Sequence, residues 1–143
     1  MARYVTKVRT ARSPHDVFAY MADLRNFAEW DPGVKKAVQV DGDGGGPAAS
    51  FDVTVSGTTL RYVTKEYHEP RNLLVVAESA TLVSTDRVTV EAVEGGSVVT
   101  YDADLRLKGV LRVADPLLKL AFGRIGDRAA AGLRTALAGT KAE

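Results

Sequence analysis

The sequence predicts an α+β fold: a curved antiparallel sheet of about seven strands around one long C-terminal helix, with two short helices inserted after the first strand. Three observations carry that prediction. From Val34 to Leu107 apolar and polar residues alternate with the period of a half-buried sheet. From Pro116 to about Ala138 the apolar residues recur at helical spacing instead. Between the first alternating stretch and the sheet, Ser13-Pro14 opens a short helical run that stops at Asp31-Pro32-Gly33.

Each element has a local reason. Residues 3 to 10 alternate, with Tyr4, Thr6 and Val8 on one face and Arg3, Val5, Lys7 and Arg9 on the other. Ser13 as N-cap, Pro14 in the first turn and Asp16 three residues after the cap start a helix over about 14–22, with Val17, Met21 and Leu24 at helical spacing. Asp23 caps a second short helix over about 24–28, carrying Leu24 and Phe27 inward, and the Asp-Pro-Gly turn ends it. Val34, Val38 and Val40 lead into the glycine-rich hairpin loop DGDGGGP at 41–47, followed by a strand with Phe51, Val53 and Val55 on one face. Turns at Ser56-Gly57, at Glu69 to Asn72 and at Gly95-Gly96 separate strands over about 59–67, 73–78, 81–93 and 97–107. Gly109 ends the sheet, and Asp115-Pro116 repeats the cap signature before a stripe of Leu118, Phe122, Ile125, Ala129, Leu133 and Ala136. A helix over 116–138 would be roughly 34 Å long, enough to lie across a small sheet and to enclose a cavity wherever side chains fall short of meeting.

The 143 residues suit one domain with a core of its own. No apolar run is long enough to span a bilayer, and MARYVTKVRT has no apolar signal core, so a cytoplasmic location is expected. With no cysteine there is no thiol nucleophile or thiolate metal site, and the two histidines, His15 and His68, sit in no ligand spacing. The net charge of +1, with basic and acidic residues interleaved, argues against nucleic acid as a partner. There is no phosphate loop with its lysine and no nucleophile elbow, so neither a metal nor a cofactor is expected.

The run S-P-x-D-V-F-x-Y-M-A-D-L-x-N-F-x-E-W-D-P-G-V at 13–34 resembles the polyketide cyclase/dehydrase branch of the START-like (SRPBCC) superfamily. So do D-R-V-T-V at 86–90, G-G-S-V-V-T-Y-D-A-D-L-x-L-K-G at 95–109 and G-x-x-A-A-x-G-L-x-x-A-L at 126–137. The resemblance spans the chain and implies one helix-grip domain over 1–143. It leaves function open, because the superfamily includes polyketide aromatase/cyclases, lipid and sterol carriers, hormone receptors, coenzyme Q-binding proteins and chaperone activators. The arginine-rich pocket of its aromatase/cyclases matches no position here.

The expected cavity is lined from the inward faces of the strands and the helix by Phe51, Val53, Val55, Val99, Tyr101, Leu105, Phe122, Ile125 and Leu133. The single tryptophan, Trp30, stands near one end, either as a plug against Phe27 and Val34 or as a ligand contact. The strand over 59–67 has two readings, with either Leu60, Tyr62, Thr64 and Glu66 or Arg61, Val63, Lys65 and Tyr67 inward. On the next long strand the face with Leu82, Ser84, Asp86, Val88 and Val90 is the inner one. Tyr62, Glu66, Ser84, Asp86 and Tyr101 are then the polar groups available to a ligand. Asp86 and Glu66 are the candidate acid/base groups if a reaction occurs, against the plain alternative that Asp86 pairs with Arg87 or Arg61 near a strand end, or caps a turn. Gly123, Gly126 and Gly132 in one helix, each costing about 1 kcal/mol relative to alanine, imply a close neighbour: a strand, a ligand or the second subunit of a homodimer. Val110, Leu111, Val113, Leu117, Leu118 and Leu120 beside Lys108, Arg112 and Lys119 suit either core packing or a membrane surface.

The functional expectation is a protein that binds a hydrophobic, lipid-like or polyketide-like molecule in this cavity. The alternatives are a cyclase/dehydrase using a cavity carboxylate and a protein-interaction domain whose cavity is largely filled.

Overall fold

The computed structural model describes residues 2–55, 57–109 and 115–142. The chain runs β1 (Ala2–Thr10), α1 (Pro14–Ala22), a 3-10 turn (Leu24–Asn26), α2 (Phe27–Trp30), β2 (Val34–Asp41), β3 (Ser50–Val55), β4 (Thr58–His68), β5 (Asn72–Glu78), β6 (Leu82–Val93), β7 (Gly96–Leu107), α3 (Asp115–Ala136) and β8 (Thr140–Lys141). All strands join one antiparallel sheet in the order β2-β3-β4-β5-β6-β7-β1-β8. Ser56, Val110, Leu111, Arg112 and Val113 lie outside the described residues, as do the side chains of Leu117, Leu118 and Lys119.

The local signals act as expected. The Ser13 hydroxyl accepts from the Asp16 amide at 3.2 Å and starts α1, and the Asp23 carboxylate accepts from the Arg25 amide at 3.1 Å. What Asp23 caps is a 3-10 turn that runs into the single turn of α2, so the second short helix extends to Trp30 rather than Ala28. The sheet has eight strands instead of about seven. Ala138 takes φ 51° at the end of α3, after which Thr140 and Lys141 pair with Arg9 and Val8. Two residues are too few to alternate visibly in a sequence.

The helices bridge the two ends of the sheet. α1 packs on β6 and β7, the 3-10 turn on β2 and β3, α2 on β2, and α3 on both β1 and α2. Buried side chains between these layers include Phe18, Phe51, Val53, Leu73, Val99, Leu133 and Leu137. The end of α3 is tied to the first strand where the Thr10 hydroxyl donates to the Leu137 carbonyl at 2.7 Å.

The inner stripe of α3 is rotated from the one expected. Gly126, Ala129, Ala130, Leu133 and Leu137 face inward, whereas Ile125 is 49% exposed. The glycines explain the rotation. A Cβ on Gly126 would overlap the ring of Tyr4 on β1, and one on Gly132 would overlap the Trp30 carbonyl oxygen. The close neighbours are thus a strand residue and the backbone of α2, while Gly123 has open space around it. Leu120, also expected to pack or to dock on a membrane, is 67% exposed. Val38 and Val40 stand exposed on the edge strand β2.

Gly132→Ala is expected to cost about 1–3 kcal/mol by overpacking. Gly123→Ala should gain about 0.5–1 kcal/mol from helix propensity alone. Urea unfolding of the two variants checks this, and equal effects would remove the contact with Trp30 from the account of the fold.

Candidate functional site

The site starts from the pairing of β4, β5 and β6. Tyr62 lies opposite Ala77, and Ala77 opposite Ser84. Alanine is short enough for the Tyr62 hydroxyl to reach across β5 to the Ser84 hydroxyl at 2.7 Å. On the next inward position of β6, Asp86 accepts a hydrogen bond at 2.6 Å from the hydroxyl of Tyr101 on β7. All four side chains are buried. The plain alternative for Asp86 does not hold, because Arg87 binds Glu66 and Asn72 and Arg61 binds Asp52.

A register shift between Thr64 and Glu66 decides the ambiguous strand. Before it, Tyr62 and Thr64 point inward; after it, Tyr67 does, meeting Phe18 edge-on with centroids 5.2 Å apart. One extra residue in a strand reverses which face its side chains take. Glu66 is therefore carried to the other face, 3.2 Å from Arg87, and leaves the list of acid/base candidates.

The short helices cover this polar floor. Trp30 stacks on Phe27 with centroids 4.8 Å apart and meets Tyr101 edge-on at 5.2 Å. Phe27 also lies edge-on to Tyr62 and Tyr101. Between cover and floor is a cleft lined by Met21, Asp23, Leu24, Phe27 and Trp30 above and by Leu73, Val75, Asp86, Val88 and Tyr101 below. Its free volume for a water-sized sphere is about 10 Å³, room for roughly one water. Trp30 is accordingly both the plug, packed on Phe27, and part of the cleft wall.

Other expected lining residues stand elsewhere. Phe51, Val53, Val99 and Leu133 are buried in the core, Val55, Leu105 and Phe122 are half-buried, and none borders the cleft. Ile125 faces outward because Gly126 holds α3 against Tyr4. Leu73 and Val75 had no place in the expected site, because the run Leu73 to Ala77 is apolar throughout and shows no parity. Met21, Leu24, Phe27 and Trp30 recur every third residue, a signal for one common face that the individual helix assignments divided.

Burial dominates the electrostatics. Loss of hydration pushes the Asp86 carboxyl up to about 7; the Tyr101 hydrogen bond pulls it down, and the charges of Asp31, Asp102 and Asp104 add to the rise. Burial, followed by the charge of Asp86, holds the hydroxyls of Tyr62 and Tyr101 well above the usual phenol range. Asp31, next to Trp30, is raised by burial against the opposing effect of the Gly33 amide, which donates to it at 2.9 Å. The site thus holds a carboxyl that exchanges a proton near neutrality, joined to a phenol that stays protonated.

An antiparallel sheet closed by a long C-terminal helix, with short helices covering a buried cleft, defines the START-like helix-grip class. The chain belongs to the family described as polyketide cyclase/dehydrase and lipid transport, whose profile matches residues 1–138. No curated protein matches it. Among solved structures, a START superfamily protein from Mycobacterium smegmatis is 17% identical with a TM-score of 0.71, covering 96% of this chain and 97% of its own. The XoxI protein from Bacillus cereus is 18% identical with a TM-score of 0.66, covering 96% of each chain. A hypothetical protein from Helicobacter pylori is 11% identical with a TM-score of 0.71, covering 94% of this chain and 87% of its own. At these identities the likeness is one of fold.

The raised Asp86 has a consequence for stability. Between the unfolded carboxyl value of 3.8 and about 7 the folded chain holds a proton that the unfolded chain releases. The stabilisation is therefore complete below 3.8 and lost as pH rises to about 7. Relative to Asp86→Asn, which cannot titrate, the native chain should lose about 4 kcal/mol between pH 4 and pH 8. Denaturant titrations at the two pH values measure this, and parallel profiles would mean that folding leaves the Asp86 carboxyl at its ordinary value.

Proposed function

We propose that the protein binds a small hydrophobic molecule between the aromatic cover and the polar floor, in the cytoplasm. The observation that supports this best is the Asp86–Tyr101 pair at the cleft wall, beneath Trp30 and Phe27. A buried carboxyl with no cation partner among the described residues costs stability that an apolar pair would not. The family, described by both cyclase/dehydrase activity and lipid transport, fits a hydrophobic ligand. In this reading the ligand replaces the volume that Phe27 and Trp30 fill, and the polar groups orient it.

Two observations favour other readings. A cleft of about 10 Å³ suits an interaction domain whose cavity stays filled. A carboxyl raised to about 7 beside a phenol suits a cyclase or dehydrase in which Asp86 takes a proton next to a carbonyl and Tyr101 steadies the resulting enolate.

Titration of the delipidated protein with fatty acids, sterols, quinones and aromatic polyketide mimics tests the three together, followed by Trp30 emission and by calorimetry. Binding predicts a saturable shift for one class, with heat retained in Trp30→Phe. Phe27→Leu should tighten that binding about threefold, because less side chain has to be displaced. Conversion of the bound molecule would favour the enzyme. Silence across the panel in both measurements would favour the filled interaction domain.

A further inference from the structure

The cleft is built for one kind of polar group, and its charges say which. Its described lining contains two carboxyls, Asp23 and Asp86, and no cation. Asp23 is already held by Arg25, with nitrogen–oxygen distances from 2.5 to 3.1 Å. Among the described residues Asp86 has no such partner. Asp31, Asp102 and Asp104 add negative charge towards it. Nearby guanidinium groups are committed elsewhere: Arg87 to Glu66, Arg61 to Asp52 and Arg3 to Asp102.

Hydrogen-bonding capacity is just as one-sided. One oxygen of Asp86 accepts from Tyr101, which among the described residues is the carboxyl's only side-chain hydrogen-bond partner, and the carboxyl borders the cleft. Tyr62 and Ser84 bond to each other. The Asp86 carboxylate therefore offers an incoming molecule an acceptor and a negative charge.

We propose that the cleft selects an uncharged apolar molecule carrying a hydroxyl, anchors that hydroxyl on the free oxygen of Asp86, and rejects the corresponding carboxylate. This rests on the ligand-binding reading above and narrows it. A hydroxyl supplies the missing donor without adding charge. A carboxylate would place like charge beside Asp86 in a buried site whose described lining has no cation to offset it, which is discrimination by repulsion as well as by fit.

Matched pairs test it: 1-decanol against decanoate and 2-naphthalenemethanol against 2-naphthoate, titrated by calorimetry at pH 8.5. The alcohol of at least one pair is expected to bind ten or more times tighter (about tenfold as the lower bound). Asp86→Asn, its fold checked by near-ultraviolet circular dichroism, should shrink that ratio to about threefold or less, chiefly through better binding of the acid. Glu66→Gln, which removes a carboxylate from the opposite face, should leave the ratio unchanged. If Asp86→Asn does not fold, the same ratio in the native protein should shrink at pH 5.5, where Asp86 is protonated and both acids remain largely ionised. The Asp23–Arg25 pair lines the same cleft and Asp31 adds its charge from beside Trp30, while Asp102 and Asp104 act through the sheet from its other face. Equal or tighter binding of the acids would overturn this inference and leave ligand binding standing. A ratio that ignores both the Asp86 substitution and the change of pH would also overturn it. Binding of none of the four would overturn it together with the reading on which it rests.

Discussion

Gly132 carries no side chain because the carbonyl of Trp30 occupies the place where one would stand. The rest of the arrangement depends on that approach of two backbones. α2 is a single turn and cannot hold itself together by its own hydrogen bonds. It persists because it is held between β2 on one side and α3 on the other, while α3 in turn lies on β1. Those contacts connect strand β2, at one edge of the sheet, with β1 near the other. The same approach sets the direction of Trp30, whose indole lies edge-on to Tyr101. An alanine at 132 would act on the fold and the cover of the cleft at once.

Beneath that cover the core gives up stability in a confined region. Tyr62 reaches Ser84 only because Ala77 intervenes, and Thr64, one inward position along β4, is buried with a hydroxyl that has no hydrogen-bond partner. Such an unsatisfied group costs about 1–3 kcal/mol. Thr64 pairs with Val75, and Val75 with Asp86, so the orphan hydroxyl and the uncompensated carboxyl lie on one cross-strand row. Elsewhere the buried hydroxyls of Thr10 and Ser97 donate to the Leu137 and Arg12 carbonyls, and Phe51, Val53, Leu73, Val99, Leu133 and Leu137 are all almost inaccessible to solvent. The concentration of polar cost on adjacent strands sets this row apart from the rest of the described interior.

The sequence made the regular parts legible because their signals are local. Ser13-Pro14, the alternation along β3, β6 and β7, and the helical period of α3 each reflect a short-range preference that the fold leaves in force. Asp86 and Tyr101 could be named from strand parity alone. Glu66 could not, because the residue that reverses the parity of β4 lies in a run, Tyr62 to Tyr67, with no glycine or proline to mark a bulge. Ile125 was misplaced for a different reason. Its spacing suited the stripe, but contacts with Tyr4 and Trp30 turn the glycine face of α3 inward, and glycine contributes nothing to a hydrophobic pattern. The size of the cleft was illegible altogether, since it depends on how far rings from separate elements interpenetrate.

The two walls of the cleft differ in kind. Leu73, Val75, Asp86, Val88 and Tyr101 stand on strands paired along both edges, so their relative positions are fixed by the ladder. Met21, Asp23, Leu24, Phe27 and Trp30 come from the end of α1, a 3-10 turn, a single helical turn and the residue that joins the first two. Polar groups whose geometry has to be exact for recognition or proton transfer belong on the first kind of wall, and apolar bulk that has to yield to a guest belongs on the second. Here the carboxyl and phenol are on the ladder and the stacked aromatic rings are on the short helices. A fold divided in this way can change what it admits by altering the cover and change what it does by altering the floor, which is how one architecture can serve both cyclisation and lipid transport.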